Sequence, residues 1–118
     1  MAGTVTITYE DHATIKVVTW AWTSDASGDV SGADTKVLSG VALRCTTDPD
    51  GSAAPTDNYD IVVNDSLGGD VVGGALANRD TLDSESAAVT GGAFSGALSL
   101  VVSTAGNAKK GVLRMYFR

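Results

Sequence analysis

Residues 3–22 read GTVTITYEDHATIKVVTWAW, and this stretch decides the fold class. Its first half alternates Val5, Ile7 and Tyr9 against Thr4, Thr6 and Thr8. Side chains of a strand point to opposite faces in turn, so this pattern predicts a half-buried strand with threonines outward. The second half is β-branched and aromatic, with Ile15 and Val17 on one face and Lys16, Val18, Trp20 and Trp22 on the other. Both faces of that second strand are apolar enough to need cover. One closes the domain's own core; the other calls for a second sheet, a loop or another subunit. Between the halves the polar residues around His12 predict a turn.

The same signals recur outward from there. TKVLSGVALRC (35–45) places Val37, Val41, Leu43 and Cys45 on one face and Arg44 on the other, with Gly40 marking a bulge or a close backbone approach. NYDIVVND (58–65) alternates Tyr59, Ile61 and Val63 against Asp60, Val62 and Asn64. It runs through SLGG into DVVGGAL, which predicts a hairpin whose turn uses Gly68 or Gly69 at positive φ. GALSLVVS (96–103) sets Leu98, Leu100 and Val102 inward. GVLRMYFR (111–118) sets Leu113, Met115 and Phe117 inward and Arg114, Tyr116 and Arg118 outward, after a TAGNAKK turn.

Helical periodicity is scarce. In VVGGALANRDTLDSESAAV (71–89) the paired glycines argue against a long helix, leaving one turn near Leu76–Asp83. SDASGDVSGADT (24–35) reads as a flexible hairpin tip and TTDPDGSAAPTD (46–57) as a longer crossover. The expectation is a single all-β domain over 1–118, an antiparallel β-sandwich or barrel-like fold of about 7–8 strands with little helix.

Bulk composition agrees. The 118 residues are 43% hydrophobic and 19% charged, which suits one globular domain. Eight Lys and Arg against fourteen Asp and Glu leave a net charge of −6. Such a chain is repelled by phosphate backbones and by anionic lipid, so neither nucleic acid nor membrane is expected as a partner. MAGTVTITYED (1–11) lacks the basic start and apolar run of a signal peptide, which predicts synthesis in a cytoplasm without standard export.

Chemistry is thinly represented. The one histidine, His12, sits in a predicted turn, with no G-x-S-x-G elbow elsewhere. Cys45, the one cysteine, excludes an internal disulfide and reads as a small apolar core group. Glu10, Asp11, Asp57, Asp60, Asp65 and Asp70 could in principle supply a carboxylate pair, but all lie at strand ends or turns, where Asp binds nearby backbone N–H groups. Asp48, Asp50 and Gly51 resemble the start of a calcium loop, but glycine comes fourth and Tyr59 occupies the twelfth position. GGDVVGG and TGGAFSG have neither P-loop nor dinucleotide order, and Lys109–Lys110 is a short solvated pair. The expectation is no catalytic residue, no cofactor and no metal: not an enzyme.

Trp20 and Trp22, beside a Gly- and Asp-rich loop, raise the alternative of association. Either both indoles cap the core, or at least one joins a subunit interface, where Trp and Tyr are enriched. Arg114 and Tyr116 of the last strand suit the same surface.

The phrases MAGTVTITYEDHATIKVVTWAWTSDASGDVSG (1–32), PTDNYDIVVNDSLGGDVV (55–72) and TAGNAKKGVLRMYFR (104–118) make the chain resemble small proteins encoded among the structural genes of tailed phages. The resemblance covers nearly the whole chain and rests on general pattern, with no catalytic motif. It implies a virion component, a capsid decoration or cement protein on the shell exterior. Its partners would be the major capsid protein and itself, with a homotrimer favoured. A tail or head–tail connector component, or a carbohydrate-binding module aiding adsorption, are the alternatives.

Overall fold

The computed structural model describes residues 3–66, 68–74, 76–77, 79 and 84–118. Among these residues eight strands follow in chain order: β1 (Thr4–His12), β2 (Ile15–Thr23), β3 (Val30–Asp34), β4 (Leu38–Pro49), β5 (Asp60–Asn64), β6 (Glu85–Gly96), β7 (Ser99–Ser103) and β8 (Lys110–Phe117). They form a five-stranded sheet in the order β1-β2-β8-β4-β6 and a three-stranded sheet in the order β3-β7-β5. All strand pairs are antiparallel. The all-β, antiparallel reading of the sequence therefore holds, and of the sandwich and barrel-like alternatives the structure takes the one with two separate sheets.

The core forms from the inward residues of both sheets. Val18, Trp20 and Trp22 of β2 meet Leu113, Met115 and Phe117 of β8 and Cys45 of β4; Ile61, Val63, Leu100 and Val102 close it from the small sheet. Removing these side chains from water is the main stabilising term of such a fold. Leu98, Leu100 and Val102 are inward as their alternation requires, and so are the alternate residues of β8.

Four local readings need correction. On β4 the predicted inward residue Val41 is exposed while Ala42 and Cys45 are buried. Between Ala42 and Arg44 the register shifts against both neighbours: β4 carries one extra residue against the Tyr116–Phe117 step of β8, while against β4 the excess lies on β6, between Ala88 and Gly92, and the alternation of β4 reverses beyond the bulge. Gly40 lies just outside that bulge, at a close approach: a Cβ there would stand 2.5 Å from the Arg118 carbonyl oxygen.

The loop expected to be a flexible tip contains β3. Val30 is buried, and the strand pairs with β7 through Val30–Val102 and Ala33–Leu100. Thr35 locks its exit, donating its N–H to the Leu98 carbonyl at 2.8 Å while its Oγ1 accepts the Leu98 N–H at 2.9 Å.

The second arm of the predicted hairpin after β5 is not a strand. Gly68 does take positive φ, at 87°, and Asn64 and Asp70 form a single bridge. The Asp70 carboxylate then accepts the N–H groups of Val72 (3.2 Å) and Gly74 (2.8 Å) and curls the backbone into turns. The result is a strap over the edge of β5, joined to it by Val71 N–H to the Val63 carbonyl (2.7 Å) and Ile61 N–H to the Leu76 carbonyl (3.1 Å).

Strand β6 falls where no strand was expected. Of the window expected to hold a helical turn, Leu76, Ala77 and Arg79 form turn, bend and bridge, and Ala75, Asn78 and Asp80–Asp83 lie outside the described residues.

Candidate functional site

The two tryptophans are core residues, which corrects their reading as interface candidates. Trp20 is 0% and Trp22 1% exposed. The register explains why. Trp20 stands opposite Leu113 and Trp22 opposite Gly111, and the missing side chain at Gly111 makes room for the indole. A Cβ at Gly111 would lie 2.5 Å from Trp22 Cζ2. Trp22 also packs against the Tyr59 ring at 5.7 Å between centroids, joining the two sheets.

Burial also controls the groups capable of chemistry. The Cys45 thiol is pushed up to about 12, first by desolvation and then by the Asp70 carboxylate, so it stays a protonated core group at neutral pH. Burial likewise raises the Tyr59 phenol to about 12. His12 ends β1 in the open, its Nε2 3.1 Å from Glu10 Oε2.

Several loop carboxylates build the loops that carry them. Asp25 Oδ1 accepts the N–H groups of Ser27 (2.8 Å) and Asp29 (3.0 Å), and its carboxyl is held below the usual range, mostly by the Asp29 bond. Asp50 Oδ2 accepts those of Ala53 (2.8 Å) and Ser52 (3.0 Å), and its carboxyl is lowered for the same reason, the Ala53 bond leading. The DPDGS segment is thus a turn stabilised by Asp50. Asp65 closes its turn through the Gly69 N–H at 3.0 Å. No group of three or more His, Cys, Asp or Glu placed to hold a metal occurs among the described residues.

The other two interface candidates, Arg114 and Tyr116, lie on the outer face of the large sheet. There the register sets Tyr116 beside Arg44 on β4 and Val17 on β2, and Arg114 beside Thr46 and Thr19. Arg118 exchanges backbone hydrogen bonds with Val41 and continues the same face. Three of the chain's four arginines are therefore gathered on one face of a protein of net charge −6. The Arg44 guanidinium rests over the Tyr116 ring, 4.5 Å from its centroid.

Val17, also on this outer face, is only 5% exposed. Sequence reasoning placed Arg44 outward but did not join it to Tyr116. That pairing requires the β4–β8 register and the bulge that sets it. Among the described residues none of the three arginines makes an ion pair, whereas Arg79 pairs with Glu85 at 3.7 Å.

At the end of this face nearest Lys110 lies an open concavity of about 480 Å³, lined by Thr6, Ala21, Asp48, Asp50, Lys110 and Val112 among others. Asp50 faces it with a carboxylate already bonded to backbone N–H groups.

No protein-family model matches the chain, and neither does any curated protein sequence. Solved structures show weak likeness. A cupin domain from Bordetella pertussis Tohama I aligns with TM-score 0.41 and 10% identity over 99% of this chain and 94% of that one. A low-affinity xylan-binding module from Roseburia intestinalis aligns with TM-score 0.38 and 14% identity over 99% of this chain and 89% of that one. Carbohydrate-binding modules of the β-sandwich superfamily give TM-score 0.34 and 13% identity over 97% of this chain, which spans 52% of theirs. Likeness at this level carries neither a family nor a function.

Proposed function

We propose that the chain is a non-enzymatic structural subunit of a phage virion, a decoration protein that reinforces the capsid exterior through contacts with the major capsid protein and with its own copies. One observation carries the reading. The outer face of the five-stranded sheet concentrates Arg44, Arg114, Arg118 and Tyr116 in an acidic molecule. Arg and Tyr are the residue types that contact surfaces favour. Other polar groups build the fold: Asp25, Asp50 and Asp70 hold turns, and Cys45 fills the core. Weak contacts of this kind become effective when many act together on a lattice.

The test is quantitative mass spectrometry of purified particles. A copy number close to that of the major capsid protein is expected. A handful of copies per particle would transfer the chain to a tail or connector, and its absence from particles would end the virion reading. A carbohydrate-binding role predicts sugar stacking on an open aromatic surface, yet Arg44 lies over Tyr116, and Tyr9 is the exposed aromatic among the described residues. Hits on a glycan array would reinstate that role.

A further inference from the structure

We infer that the arginine-bearing outer face of the five-stranded sheet docks on the acidic loop end of a second copy of the chain. The inference rests on the assembly reading and names the surfaces that would make the self-contact. Its basis is the segregation of charge within one molecule. On the outer face, Arg44, Arg114 and Arg118 surround Tyr116. The carboxylates of that face lie at its margins: Glu10 is bonded to His12, and Asp48 accepts a hydrogen bond from Ser84 Oγ at 2.9 Å. The arginines are thus left without a partner of opposite charge among the described residues.

The complementary surface is the strand end that joins the two sheets. Three loops there are bonded into one unit. Ala105 N–H donates to the Gly28 carbonyl (3.0 Å), Thr56 N–H to the Ala105 carbonyl (2.8 Å) and Lys110 N–H to the Ala53 carbonyl (2.8 Å). This end carries Asp25, Asp29, Asp50, Asp57 and Asp60 around Lys109 and Lys110. The backbone bonds that lower the Asp25 and Asp50 carboxyls also fix where those charges stand. A guanidinium presents a planar fork of donors that suits such carboxylates.

The placement also constrains the assembly. A face and its complement on different parts of one chain make a heterologous contact, which propagates head to tail. Surfaces on opposite sides of the molecule would stack into an open filament. A sheet face and a strand end are not opposite surfaces, so each added copy turns relative to the last, and the contact forms a closed ring when that rotation returns to the first copy.

The experiment is sedimentation velocity of the purified chain at low and high salt. It is repeated with R44E/R114E, with D29K/D57K, and with the two variants mixed. Circular dichroism and thermal melts confirm that each variant is folded. The expected result is a small closed oligomer at low salt that dissociates at high salt. Each variant alone should be at least ten-fold weaker in association, and the mixture should regain the contact because reversed face meets reversed end. A wild-type chain that stays monomeric at low salt and high concentration overturns the inference. So does undiminished association of R44E/R114E, or failure of the mixture to associate when both variants are folded. A wild-type monomer that instead binds a uronate polymer through Arg44 and Arg114 would assign the face to an acidic glycan and likewise overturn it. The two claims fail separately: the chain's absence from particles removes the virion reading without touching the sedimentation result, and the converse also holds.

Discussion

The two sheets are built by different means. The large sheet uses strands of 8 to 12 residues, and the small sheet three strands of 5. In β8 the alternation is strong and the inward residues are large, so the chain itself specifies strand and face. β2 specifies a strand by its β-branched and aromatic residues, but both of its faces are apolar. In β3 the sequence VSGAD has little strand character, and the strand exists because Val30 is anchored in the core and β7 offers its edge. β5 is covered on its free side by a strap that an aspartate folds. Strands with a clear alternation of large residues, β8 in one sheet and β5 and β7 in the other, are specified locally. Strands without it, β3 and β6, depend on their neighbours.

That comparison breaks first at the shared core. Trp20→Ala in the large sheet is expected to cost about 3–5 kcal/mol, and Leu100→Ala in the small sheet about 2–5 kcal/mol. Both should leave a single transition in urea, because the two side chains belong to one cluster. A Leu100→Ala protein that melts in two steps would show the small sheet to be a separate unit.

The next effect is steric. Gly111→Ala should cost about 1–3 kcal/mol, because its Cβ meets a buried indole that has no room to move. Gly51→Ala, where a Cβ would find nothing within 4 Å, should leave the melting temperature close to wild type. Equal effects at the two positions would remove the close-approach account of Trp22.

Asp70→Ala probes the strap, with an expected cost of about 1–3 kcal/mol from lost bonds to a charged acceptor. Hydrogen exchange should quicken at Val63, Val72 and Gly74, whose N–H groups the carboxylate accepts, while β2 and β8 stay protected. Uniform quickening in both sheets would mean that the strap is not local.

The smallest effect is acid sensitivity at the loop end. The Asp25 and Asp50 carboxyls are lowered from 3.8 in the folded chain. The unfolded chain therefore binds more protons in that range. Their stabilisation is complete above about pH 3.8 and is lost as pH falls through the folded values. Both groups are open to solvent, so the loss is small. Urea midpoints of wild type and D25A/D50A compared across this range should converge as pH falls. A constant difference would sink the assignment.

Much of the large sheet was legible in the sequence. Val5, Ile7, Val18, Leu113, Met115 and Phe117 follow their alternation, and Arg114, Tyr116 and Arg118 face outward as read. The failures share a cause. The bulge at Ala42–Arg44 is one residue that only the strands beside β4 can reveal. β6 is rich in small residues and pairs with β4 from far along the chain, so no local window shows it. The tryptophans read as ambiguous because both faces of β2 carry apolar residues. The glycine opposite Trp22 and the second sheet beneath it settled them as core.

By itself the sequence determined an all-β chain and the inward faces of the strands that alternate clearly, β1, β5, β7 and β8, because side-chain alternation is a property of the local backbone. Only the tertiary structure decided where the short strands pair and which arginines share a face. Those depend on register and on contacts between residues far apart in the chain. The same register brings Arg44 to Tyr116, and with it the surface on which the proposed assembly rests.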